Sequence, residues 1–221
     1  MRALNNSLSE SDIKAIAIAR LVRMRRITSS SIIANEYRLG SSGIRADLAI
    51  LDRAFIGVEV KSDRDTLRRL ASQVSAYERY FDRTILVLAE KHLPNIKIDL
   101  SGVEVWSISE SGTIKTISAR KRARSEFLRQ NLVDLLPSRQ RNRLLDTDQG
   151  TLVGKAVVET FREYFANRFK PTSIAFWESI ADRSFDGNDM KALSVYKPLR
   201  SKANEIALRH ATALKGWGSV S

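Results

Sequence analysis

Apolar and polar positions along the chain change period several times, and each change marks an element. Between residues 11 and 25, Ile13, Ile16, Ala17, Ala19 and Leu21 give one apolar side to a 3.6-residue repeat, with Ser11 and Asp12 available as caps. IIANEYRL (32–39) is rich in β-formers and runs into the turn signal GSSG at 40–43. RADLAIL (45–51) and AFIGVEVK (54–61) are strand-like runs joined through Asp52 and Arg53, which predicts a tight hairpin. From 63 to 81 the positions Leu67, Leu70, Val74, Tyr77 and Phe81 predict an amphipathic helix, its N-terminus favoured by Asp63 and Asp65. RTILVLAE (83–90) is continuously apolar, as a strand in a sheet interior is. VEVWSIS (103–109) and GTIKTIS (112–118) pair around Glu110–Ser111. Helix, three strands, helix, strand and a closing hairpin together predict an α/β core with a mixed central sheet.

Beyond residue 119 the text turns helical, so the expected division is a core domain, 1–119, and a mainly α-helical C-terminal subdomain, 120–221. Val158, Phe161, Tyr164, Phe165 and Phe169 recur at helical spacing and read as a packing stripe. Pro171 is expected to open a new segment, DGND (186–189) to form a turn, and a last helix to end near Lys215.

Charge adds a partner to this picture. The formal balance is +12 and the pI near 10.2, which favours anionic surfaces, nucleic acid first. Residues 1–119 hold 18 basic and 14 acidic groups, residues 120–221 hold 19 and 11. Arg120, Lys121, Arg122 and Arg124 begin a basic run that serves either as a solvated helix face or as a phosphate-contacting patch. The absence of cysteine excludes disulfides, zinc–thiolate sites and thiol nucleophiles. The two histidines, His92 and His210, lie far apart, and His92 is expected in a surface turn. Nothing resembles a signal peptide or a membrane span, so a cytoplasmic protein without a membrane partner is expected.

The candidate chemistry sits on the predicted hairpin. Glu59 and Lys61 are two apart on one strand and so share a face. Pairing across the turn brings Asp47 opposite the Glu59 region. Two carboxylates and an ammonium at one sheet edge suit a hard divalent cation and a phosphate ester. Gln73 and Tyr77, four apart, share a face of the predicted 63–81 helix. Their amide and phenol could bond a DNA phosphate or steady Lys61.

Asp47 followed by Glu59-Val60-Lys61 resembles the D…ExK signature of the PD-(D/E)XK nuclease superfamily, in particular a small bacterial and phage branch, and Gln73/Tyr77 resembles the QxxxY element of RecB-type members. The likeness covers about residues 11–119, and Ala46 stands where the motif's proline would be. It implies a restriction-endonuclease-like αβββαβ core and Mg2+-dependent hydrolysis of DNA, with Mn2+ as a substitute. Asp47, Glu59, the Val60 carbonyl and Glu36 would hold the metal, and Lys61 would sit beside the attacking water. Arg68 and Arg69 would steer DNA, with RNA the weaker partner, and double-strand cleavage by one site per chain would call for a homodimer. The rival expectation is a DNA-binding module that keeps the fold without catalysis.

Overall fold

The computed structural model describes residues 7–119, 131–147, 154–181 and 183–194. The protein is α/β, with one six-stranded mixed sheet. Helix α1 (Glu10–Arg23) precedes β1 (Ile32–Arg38), β2 (Arg45–Leu51) and β3 (Phe55–Lys61). Helix α2 (Leu70–Tyr80), β4 (Arg83–Ala89), β5 (Glu104–Ile108) and β6 (Ile114–Ser118) follow. The helical region supplies α3 (Ser138–Thr147) and α4 (Gly154–Ser179), with short 3-10 turns at Leu132–Leu135 and Gly187–Leu193.

The strands lie in sequence order; β3–β4 and β4–β5 are parallel and the other pairs antiparallel. Each parallel step needs a crossover, which α2 supplies before β4 and a 3-10 turn at Glu90–Asn95 before β5. β3 and β4 are central, and their interior residues are buried throughout, as the unbroken apolar runs predict. Gly57 is required there, because a Cβ at that position would collide with the Phe81 ring.

One sheet face, with Ile33, Leu48, Ile50 and Val58, packs on Ile13, Ala17, Ile18 and Leu21 of α1. The other, with Ala34, Ala49 and Phe55, packs on Ala76, Tyr77 and Tyr80 of α2. Helix α4 serves both: Phe161, Phe165 and Phe169 join the α2 side, Phe176 and, just past the helix, Ile180 the α1 side. It therefore passes across the β1 edge, where Ser173 Oγ accepts from Ile33 N (2.8 Å) and lies 3.2 Å from Ile33 O. Trp177 Nε1 donates to Ser31 O (2.8 Å). Each fully buried phenylalanine contributes about 1.5–3 kcal/mol, so the described helical region is integral to the core.

Several local expectations are corrected. α1 is capped by Ser9, which forms a capping box with Asp12, and Ala19 points to solvent while Lys14 is buried. α2 starts at Leu70 rather than 63, because Asp65 Oδ2 accepts from Ser62 N and Oγ (2.8 and 2.6 Å) and holds a turn. α4 runs through Pro171; beside the proline, Thr172 and Ser173 hydroxyls both donate to Phe169 O. DGND opens a 3-10 turn, with a capping box between Asp186 and Asp189. His92 is buried, its Nε2 2.9 Å from Ser62 O, because that segment packs back against the end of β3. The expected helix near Lys215 lies outside the described residues.

No helix among the described residues is long and apolar enough to cross a membrane.

Candidate functional site

The site begins at an irregularity. Glu36, within β1, has φ +57°, a left-handed conformation uncommon for a side chain of its size. β1 and β2 pair in one register from Ile32–Leu51 to Asn35–Leu48 and again from Tyr37–Ala46, with Glu36 and Asp47 skipped between. The face alternation slips there: Ile33 and Leu48 belong to the α1 side, Tyr37 and Ala46 to the α2 side. A regular strand turns successive side chains to opposite faces, yet Asn35 and Glu36 both reach Lys14. The positive φ of Glu36 makes that possible, and strain of this kind collects at functional sites.

Asp47 is the point where two clusters meet. The β2–β3 pairing ends at Leu48–Val58, so the Val60 N–H is free to donate to Asp47 Oδ2 (2.7 Å). On the α1 side, Lys14 Nζ lies 2.6 Å from Glu10 Oε1, 2.5 Å from Glu36 Oε1 and 3.1 Å from Asn35 Oδ1. One oxygen each from Glu10, Glu36 and Asp47 falls within 4.8 Å of the other two. On the α2 side, Lys61 Nζ donates to Glu59 Oε1 (2.7 Å), as does the Gln73 amide. Tyr77 donates its hydroxyl to Glu59 Oε2 (2.5 Å) and accepts the Asp47 N–H (3.0 Å). Gln73 Oε1, buried, has no hydrogen-bond partner among the described residues.

The electrostatics follow from burial. Desolvation, then the charge of Glu59, pushes the Asp47 carboxyl well above its usual range. Glu59 is also raised, chiefly by desolvation, with the Lys61 ammonium and the Tyr77 hydroxyl pulling back. Burial and then the Glu59 and Asp47 carboxylates push the Tyr77 phenol up, so it stays a donor. Burial works against the Lys14 charge, but Asp47, Glu10 and Glu36 outweigh it and hold the ammonium above its ordinary value. Glu10 and Glu36 share one ammonium, Lys14, beside Asp47, while Glu59 is matched by Lys61. The hard oxygens of Glu10, Glu36 and Asp47 could hold one divalent cation of the magnesium type, with Lys14 as its competitor for Glu10 and Glu36.

Asp47, Glu59, Lys61, Gln73 and Glu36, singled out from the sequence, thus come together. One role changes. Tyr77, expected on DNA, is fully buried and braces Glu59 and Asp47 instead. Glu59 lies beside the three-carboxylate cluster, with hydrogen bonds from Lys61, Gln73 and Tyr77 to its oxygens. The Val60 N–H donates to Asp47 Oδ2. Arg68 and Arg69 are exposed just before or at the start of α2. Arg120, Lys121, Arg122 and Arg124 lie outside the described residues. Glu10 and Lys14 were missed; their i,i+4 spacing reads as an ordinary surface pair.

The family model for bacteriophage P4 protein cII matches residues 3–194. Protein cII of Enterobacteria phage P4 is 31% identical over 114 residues, 50% of this chain and 43% of that protein, so the match spans less than half of the relative. Among solved structures, a protein of unknown function from Silicibacter pomeroyi overlaps 61% of this chain and 88% of its own at 16% identity and a TM-score of 0.38, too weak a likeness to carry an argument.

Proposed function

The chain belongs to the family of bacteriophage P4 protein cII, and we propose that it is a metal-dependent DNA nuclease of the PD-(D/E)XK type. What supports this is the convergence of Asp47, Glu59, Lys61, Gln73 and Tyr77 on one hydrogen-bonded centre beside Glu36. Glu36 and Asp47, with Glu10, would hold Mg2+ or Mn2+. A divalent cation held there would polarise the phosphodiester and make the attacking water more acidic. Lys61 contributes a fixed positive charge where negative charge grows on the phosphoryl oxygens. Gln73 and Tyr77 fix the Glu59 carboxylate so that Lys61 is held in turn. The basic surplus of the chain favours DNA over an uncharged substrate.

The test is incubation with supercoiled plasmid, linear duplex and single-stranded DNA in Mg2+, Mn2+ or EDTA. Cleavage that needs metal and disappears in Lys61→Ala and Asp47→Asn is the expected result. DNA bound but never cut in either metal would sink the enzymatic reading.

One observation favours a second reading, a DNA-binding module without catalysis. The Lys14 ammonium already sits between Glu10 and Glu36, where a cation would bind. On that reading Mg2+ leaves the melting temperature of the protein unchanged.

A further inference from the structure

A cleft of about 740 Å³ opens between the distal end of β1–β2 and the helical region. Four arginines line it: Arg38 and Arg45 from the strands, Arg141 from α3 and Arg168 from α4. Its two acidic residues are already engaged. Glu36 holds Lys14, and Asp134 takes Arg79 (2.7 Å) and the Tyr80 hydroxyl (3.3 Å). The arginines are less fully matched. Arg38 has no acidic partner among the described residues, and Arg45 Nε is 3.7 Å from Glu36 Oε2. Arg168 donates to the Tyr164 hydroxyl (3.1 Å) and lies over the Phe169 ring. Arg141 donates one Nη to Leu136 O (3.2 Å), while its Nε, buried, has no hydrogen-bond partner among the described residues.

A cleft whose cations outnumber and outlast its anions, with a buried guanidinium N–H still unsatisfied, is built for an oxyanion. Asn35 and Glu36 belong both to this cleft and to the Lys14 cluster, so the cleft opens directly onto the carboxylates. We infer that the cleft grips the phosphodiester backbone of a nucleic-acid strand and leads it to the carboxylate cluster. The identification of the ligand as nucleic acid rests on the proposed function. It assigns Arg38, Arg141 and Arg168 as phosphate contacts, and it gives the helical region the task of closing one wall of the strand's path. Guanidinium suits this because its planar fork bonds a phosphate through two N–H groups at once.

Binding is to be measured by fluorescence anisotropy with a labelled oligonucleotide, single-stranded and as a duplex, in EDTA across a salt series. Arg38→Ala/Arg168→Ala removes two exposed charges. It is expected to weaken binding about tenfold or more and to make the log–log salt dependence shallower by about two. Arg141→Lys keeps the charge but not the fork, and is expected to weaken binding with the slope unchanged. Arg68→Ala/Arg69→Ala, an equal loss of charge outside the cleft, is expected to have the smaller effect. Equal weakening by both double variants, or wild-type binding by the cleft variants, would overturn the inference. Failure of the nuclease reading looks different: the cleft variants lose binding while the wild-type protein never cuts. If the protein cuts DNA and the cleft variants bind and cut as wild type, the cleft inference alone falls.

Discussion

Asp47 separates two ion clusters of opposite character. On the α1 side, Glu10 and Glu36 are 49% and 38% exposed and share the Lys14 ammonium through charge-assisted contacts that water can reach. On the α2 side, Glu59 and Lys61 are 3% and 9% exposed, and every contact is a directed hydrogen bond from Lys61, Gln73 or Tyr77. The same residue types therefore serve different ends. An open cluster can exchange its cation, because water competes for each carboxylate; a closed one cannot, because each removed partner leaves a desolvated group behind.

The largest break in that contrast is Glu59→Ala, which leaves the buried Lys61 ammonium without its carboxylate. A loss of about 3–5 kcal/mol in urea unfolding is expected. Glu59→Leu/Lys61→Met, which removes both charges, is expected to recover most of it. Next comes Tyr77→Phe, where the Asp47 N–H and Glu59 Oε2 lose a partner; about 1–3 kcal/mol is expected by the same measurement.

A gentler probe is pH. Asp47 and Glu59 are raised in the folded protein, so the stability they contribute is full below their unfolded values, 3.8 and 4.5, and is lost as pH rises through the folded values. Metal-free melting temperature should therefore gain from this pair as pH falls from neutrality toward those values, and Asp47→Asn should flatten the curve. No such flattening would place the Asp47 carboxyl in water. The smallest effect belongs to the open cluster: Glu10→Ala should cost less than about 1 kcal/mol while changing the Mg2+ dependence of melting.

The sheet and the α2 half of the site were legible in the sequence because their signals are local. Period-two runs bounded by turn residues mark the strands, and two residues four apart on a helix must share a face, which is why Gln73 and Tyr77 arrive together. The α1 half was not legible. Lys14 interrupts an apolar stripe that Ile13, Ala17 and Leu21 complete without it, and nothing local says that its ammonium will meet β1. The left-handed Glu36 is likewise invisible, since the chain carries no glycine or asparagine there to announce it. Tyr77 was placed on the right face with the wrong neighbour, because a period fixes direction and not depth. Pro171 marks the limit of breaker rules: within α4, packing on both sheet faces holds the helix together across the missing N–H.

The passage of α4 across β1 also bears on how copies of this chain treat one another. A strand at a sheet border carries a row of unpaired amides that templates association with any other strand. Here Ser173 occupies the Ile33 amide and Trp177 the Ser31 carbonyl, so that border is stoppered by side chains from the chain's own later half. A chain released or cleaved before residue 154 would carry that border bare, next to Ile32 and Ile33. Its fate would be insolubility rather than a smaller working core, and the last turns of α4 act as the protein's own guard against aggregation.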